Sequence, residues 1–278
     1  MPLVKLNKVV NFVPNQNEMN ILRIVGVFGY IDKFFVDYWI APNKTYRLKS
    51  YRLALLEKFN YLSSFHGFVP NELTYAMNRP YFLYSLAIEG TRFVESCFSI
   101  KLDKRKKDED VPLLAHNTML ARCTMEICQS LIQEGFYISD IYNESGPQYD
   151  RTDIRPDATI LFHTKEYKYG LIFIEMERNV RSQNIISTKL LRYSRAIENG
   201  LFERGFDQKI YTYRIIYVAS STPIAKDLAK KILEAKKPTL PVLLSSYKNI
   251  CDNHENTEYT LMNGWNKMMK ITDPLPRD

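Results

Sequence analysis

The chain has 278 residues, 45% hydrophobic and 25% charged, enough for one large core or two modest ones, and its length favours two domains. No run approaches the roughly 18 apolar residues of a membrane span. The opening Met1-Pro2-Leu3-Val4-Lys5 lacks the apolar core and cleavage site of a signal peptide, so a cytoplasmic protein with no membrane partner is expected. Net charge is +7 but unevenly held: residues 1–107 carry 16 Lys+Arg against 8 Asp+Glu, while the other 171 residues carry 22 against 23. A basic module joined to a neutral one points to polyanion binding by the first, the alternative being a generic basic surface. Cys97, Cys123, Cys128 and Cys251 show neither CxxC nor zinc-finger spacing and read as reduced, mostly buried thiols.

In chain order, Ile21, Ile24, Val25 and Phe28 are spaced for a helix over 17–31 with Asn17 as N-cap. A second helix runs from Asp32 through Phe35, Val36 and Trp39, and Ala41-Pro42 stops it. Asn43 caps a third helix, Lys44 to about Leu62, with a core face of Leu48, Tyr51, Leu55, Leu56 and Phe59. Basic and hydroxyl-bearing residues crowd its start. The layout is that of a helix-turn-helix, whose recognition helix offers its N-terminal residues to the major groove. Short strands at 65–68 and 79–86 would form a wing, and a helix over 91–98 closes the module. The DNA-contact candidates are Lys44, Tyr46, Arg47, Lys49, Ser50 and Arg52, with Arg79 on the wing. The alternative is a small helical domain with a solvated basic face.

Residues 101–112 pack opposite charges into a polar run that ends at a proline, a linker composition. The expected division is therefore 1–100, 101–112 and 113–278. Beyond the linker, a helix over 113–134 ends at Gly135, and strands follow at 136–142, 154–163 and 169–177, with a turn at 164–168. A helix over 184–199, a strand at 210–219, a helix over 224–236 opened by Pro223 and a strand at 240–244 complete an αβββαβ order with an αβ extension. The tail, 247–278, reads as polar and loop-rich, anchored by Trp265.

Three acidic residues fall at the ends of two neighbouring strands: Asp157, Glu175 and Glu177. Carboxylates at sheet ends are costly unless paired with cations, a metal or hydrogen-bond donors. An αβββαβ core with Asp before the second strand, an acid on the third and a nearby Lys is the plan of the PD-(D/E)XK nuclease superfamily. There Asp157 and Glu175 would hold Mg²⁺ or Mn²⁺, and a lysine would assist the attacking water. The position two after Glu175 is Glu177 rather than Lys, so Lys189, on the first turns of the next helix, is the substitute. The competing reading pairs the carboxylates with Arg155, Arg178, Arg181 or Arg192 as a fold-stabilising network, with no cofactor and no catalysis. Glu126 is a possible extra carboxylate, though more in keeping with an exposed face. His116 and His163 lack a partner at ligand spacing and read as capping or packed histidines.

The chain resembles the replication-relaxation family of plasmid and integrative-element proteins. The resemblance spans about 17–220 and rests on Tyr84-Ser85-Leu86-Ala87-Ile88-Glu89-Gly90, Leu114-Ala115-His116-Asn117, Arg155-Pro156-Asp157-Ala158, Glu175-Met176-Glu177 and Lys189-Leu190-Leu191-Arg192-Tyr193. It departs at Glu177, where the family pattern has Asp. It implies a two-domain fold, an N-terminal winged helix-turn-helix followed by a PD-(D/E)XK-like domain. The expected function is double-stranded DNA binding in replication or conjugative relaxation of a mobile element, with relaxase or replication proteins as partners and a homodimer as a possible state. A metal-dependent endonuclease and a transcriptional regulator are the alternatives.

Overall fold

The computed structural model describes residues 12–33, 36, 45–66, 82–98, 111–146, 149, 152–179, 181–235, 241–252, 259–262 and 267–269. They form a mixed α/β structure with two sheets, divided between two compact units, the first carrying described residues up to Phe98 and the second those from Val111 onward. Lys44, Arg79, Phe35 and Trp39 of the expected second helix, most of the charged run 101–112 and Trp265 lie outside the described residues.

In the first unit, α1 spans Gln16–Phe28. Its N-cap is Asn15 rather than the expected Asn17. The Asn15 side chain accepts the Glu18 N–H, and the Glu18 carboxylate accepts the Asn15 N–H at 2.8 Å, a reciprocal capping box. Ile31–Asp32 is a short strand, β1, so the expected second helix starts after Asp32, with Lys33 and Val36 both helical. Helix α2, Tyr46–Lys58, starts at Thr45 and buries only Leu53 and Leu56. Strands β2 (Leu62–His66) and β3 (Phe82–Leu86) pair antiparallel, and β1 joins the far side of β3, giving the order β1-β3-β2. Helix α3, Ile88–Phe98, follows at once. Gly90 is required at its start: a Cβ there would lie 2.0 Å from the Tyr61 carbonyl oxygen.

In the second unit, α4 spans Val111–Gln133, beginning inside the stretch expected to be linker. It ends before Gly135, whose φ of +87° suits glycine. The remaining elements are β4 (Tyr137–Asn143), β5 (Ala158–His163), β6 (Tyr169–Glu177), α5 (Gln183–Glu198), α6 (Leu201–Phe206), β7 (Ile210–Ala219), α7 (Thr222–Glu234) and β8 (Val242–Ser246). The tail is more ordered than its composition implied: α8 (Tyr247–Asp252), β9 (Tyr259–Leu261) and β10 (Lys267–Met269) extend the sheet to seven strands. Strand order follows chain order, β10 to β4. The β6–β7 and β7–β8 pairs are parallel, joined through helices, and the other pairs are antiparallel.

Strand β6 is buried over nearly its whole length, as expected of a strand covered on both faces. Leu171, Phe173, Ile215 and Tyr217 pack with Ile186, Leu190 and Tyr193 of α5, Phe202 of α6, and Leu228 and Ile232 of α7. Helix α4 lies against β4, β5 and β6 and against α8. Because side chains alternate along a strand, Glu175 and Glu177 fall on the same face as Leu171 and Phe173, beneath α5.

Candidate functional site

In the first unit the N-terminal half of α2 is turned to solvent. Tyr46 is 66% exposed and Tyr51 58%, Arg47 is exposed, and Lys49 and Ser50 are half-buried. Leu48 and Tyr51, expected in the core, are exposed instead; Leu53 and Leu56 take that role in the second half. The Lys33 ammonium lies 5.4 Å from the centre of the Tyr46 ring. Arg52 departs from its expected role. Its guanidinium forks onto both oxygens of the buried Glu18 carboxylate and covers the Phe12 ring at 5.2 Å, so it ties α2 to α1.

In the second unit the strand ends bring together most of the expected acidic residues. The last ladder pair of β5 and β6 is Ala158 with Ile174. One residue beyond, the Asp157 carboxylate accepts the Met176 N–H at 2.7 Å, which ties the approach to β5 onto the end of β6. Glu175 is fully buried. Its Oε2 takes the Lys189 ammonium and its Oε1 accepts the Tyr193 hydroxyl at 2.6 Å. Lys189 and Tyr193 lie one helical turn apart on α5, so one face of that helix closes over the carboxylate. Ser182 caps the helix by accepting the Ile185 N–H. Glu177 pairs with Arg181, an arginine of the expected network, at 3.0 Å.

His116, read from sequence as a cap or packing residue, sits with Nε2 3.9 Å from Asp157 Oδ2. Helix α4 delivers it across the sheet, a juxtaposition no local spacing could announce. Glu126 lies ten residues further along α4, about 15 Å of helix. It is buried rather than exposed, among Cys123, Cys251 and Tyr259, away from the Asp157 cluster. His163 is packed, its Nδ1–H donating to the Thr164 carbonyl at 2.7 Å.

The electrostatics follow from burial of like charges. Desolvation, reinforced by the Asp157 charge, pushes Glu175 up to about 8, against the lowering pull of Lys189 and Tyr193. Burial raises Glu177 as well, although Arg181 opposes it. Burial disfavours the Lys189 ammonium, but Glu175 and Asp157 together outweigh that and hold its pKa above the ordinary value. Tyr217, the β7 register partner of Glu175, is pushed well above the usual phenol range by burial and then by Glu175, Glu177 and Asp157. Its buried hydroxyl has no hydrogen-bond partner among the described residues, a polar gap facing three carboxylates. Beside the cluster a concavity of about 430 Å³ is lined by Asp153, Arg155, Thr188, Lys189 and Arg192, more basic than acidic.

Hard oxygen donors and an unsatisfied hydroxyl suit a hydrated divalent cation, which keeps several waters and takes one or two carboxylates. Among the described residues, however, no three His, Cys, Asp or Glu side chains are gathered as ligands, and both Glu175 oxygens are already engaged. The arrangement is a closed, proton- and lysine-neutralised carboxylate cluster with a basic groove beside it.

No protein-family model matches the chain, and no curated protein is recognisably similar to it. Among solved structures, the chain is similar to restriction endonuclease FokI, with a TM-score of 0.29 and 8% identity over 86% of this chain and 70% of that one. It is also similar to the same endonuclease bound to DNA, with a TM-score of 0.30 and 7% identity over 86% and 69%. No helix among the described residues is long and apolar enough to cross a membrane.

Proposed function

We propose that the chain is a double-stranded DNA-binding protein, with a winged helix-turn-helix as its first unit and a PD-(D/E)XK-like domain as its second. The observation that carries this reading is the two-sided character of α2. Its second half is anchored by Leu53 and Leu56, while its first half offers Tyr46, Arg47 and Lys49 to solvent. The order α1, β1, α2, β2, β3, α3, with β1 and β2 flanking β3, supports it, as does the positive charge held in residues 1–107. In this role Arg47 and Lys49 reach phosphates and base edges, and Arg52 fixes the helix that presents them. The resemblance to the replication-relaxation family supplies the setting: a plasmid or integrative-element origin, acted on with relaxase or replication proteins.

The test is a gel shift with duplex origin fragments over a series of salt concentrations. Binding is expected to fall with salt, and Arg47→Ala to reduce the salt slope by about 1 if it contacts one phosphate. Absence of duplex binding even at the lowest salt overturns the reading.

A second reading, metal-dependent DNA cleavage, is favoured by one further observation: Lys189, missing from the strand, is returned to Glu175 by α5. Asp157 and Glu175 would hold Mg²⁺ or Mn²⁺, which would supply an activated water and charge neutralisation at the phosphate. There Glu175 would be ionised and would give its carboxylate to the metal in place of Lys189, whose ammonium would be free for the scissile phosphate, with Arg155 and Arg192 lining the groove beside it. Supercoiled plasmid incubated with Mg²⁺ or Mn²⁺ is the assay. Nicking that disappears in Asp157→Ala supports cleavage; intact plasmid, or nicking unchanged in Asp157→Ala, removes it.

A further inference from the structure

At the end of the sheet opposite Asp157 the rings of β4, β5 and β6 form a continuous stack. Tyr137, His163 and Tyr169 are register partners across the three strands and so share one face. His163 is held between two rings. Tyr137 stacks on it at 5.3 Å with 11° between planes, Tyr167 covers it at 5.1 Å with 18°, and Tyr169 leans in at 5.3 Å.

A buried aromatic cluster would need no explanation, but this one is open. Tyr167 is 70% exposed and Tyr137 49%, so both ends of the pile face solvent. Tyr167 also adopts a φ of +56°, a left-handed conformation that a bulky side chain rarely takes without compensation. The turn holds it there: the Thr164 hydroxyl accepts from the N–H groups of Glu166 and Lys168, and the Tyr167 N–H donates to the Thr164 carbonyl at 3.0 Å. That backbone cost holds an aromatic face out in water.

Cations rim the stack. Lys165 and Lys168 flank Tyr167 in the turn. Glu166 is the acid in the same turn, leaving the lysines in excess. Open π-faces with ammonium groups around them fit a ligand that alternates flat bases with phosphates. In duplex DNA the bases are already stacked on one another; in a single strand they are free to stack on protein rings.

We propose that Tyr137, His163 and Tyr167, with Lys165 and Lys168 beside them, form a single-stranded nucleic-acid binding platform in the second unit. It is separate from the α2 surface offered to duplex DNA and does not depend on that reading.

The full-length chain is titrated, at one fixed salt concentration, against fluorescein-labelled oligo(dT) and against a labelled duplex hairpin, with anisotropy as readout. The informative variant is Tyr167→Gly, which removes the ring yet suits the positive φ, so its thermal stability is expected to hold or rise. Its oligo(dT) affinity should fall about tenfold, the size of one lost base–aromatic stack, with hairpin affinity unchanged. Tyr167→Phe keeps the ring and should bind oligo(dT) like the unmodified chain. Arg47→Ala should do the reverse of Tyr167→Gly, weakening the hairpin and sparing oligo(dT). Three outcomes overturn the proposal: no oligo(dT) binding, equal binding by Tyr167→Gly and the unmodified chain, or a stack that instead joins two copies, seen as a dimer that Tyr167→Gly converts to monomer on gel filtration.

Discussion

Glu18 in the first unit and Glu175 in the second are both fully buried carboxylates, and each meets a cation delivered by a different element. The resemblance ends there. Glu18 closes a capping box and is forked by Arg52, a planar, permanently charged partner that satisfies both oxygens at once. Glu175 is met by the point charge of Lys189 on one oxygen and a neutral hydroxyl on the other, with Asp157 near enough to raise its pKa. The first arrangement can only hold helices together. The second keeps a proton in play near neutral pH, which a structural tie does not require and acid–base or metal chemistry does.

The contrast can be broken most forcefully at Arg52. Arg52→Met leaves the Glu18 charge buried without its partner and should cost about 3–5 kcal/mol, read by urea denaturation. A loss of duplex binding with full stability would instead return Arg52 to the DNA surface. Next comes pH. Glu175 has its folded pKa raised from 4.5 to about 8, so the folded state keeps this proton longer than the unfolded chain does. Its contribution to stability is therefore complete below about 4.5 and declines as pH rises to about 8, by at most about 1.4 kcal/mol per unit. Glu177 shifts in the same direction, so the difference between the unmodified chain and Glu175→Gln isolates the effect. That difference should favour the variant progressively between pH 5 and 8. A flat difference profile would make Glu175 an ordinary ion pair.

Tyr193→Phe should cost about 1 kcal/mol for one lost hydrogen bond and move the Glu175 transition further up in pH. Smallest of all is Lys189→Met. Glu175 answers the loss of its cation by staying protonated, so at neutral pH the cost should remain below about 1 kcal/mol, in contrast to Arg52→Met. Equal penalties for the two substitutions would erase the distinction between the sites.

Much of the second unit is legible in the chain itself. The bounds of β6 and β7 follow from dense β-branched and aromatic runs flanked by polar turns, because a strand buried on both faces leaves a continuous apolar signature. The tail was not legible. A six-residue helix and three-residue strands are too short to show a period, and they exist because β8 offers an edge to pair with. In α2 the apolar spacing is real but ambiguous: Leu48 and Tyr51 repeat as core residues do, yet face solvent. Periodicity alone does not distinguish a face turned inward from one kept for a partner. The long-range pairings, Glu18 with Arg52 and His116 with Asp157, join residues from separate elements and become visible only once the chain is folded.

The strand order of the large sheet has a consequence for how the protein is made. From β5 onward, each strand pairs with the one synthesised immediately before it, so no strand must wait at the ribosome for a distant mate, and loop-closure costs stay small. The growing sheet has one advancing edge, always its newest strand. Glu175 emerges 14 residues before Lys189 and 18 before Tyr193, so its protonated form is the one suited to burial until α5 arrives.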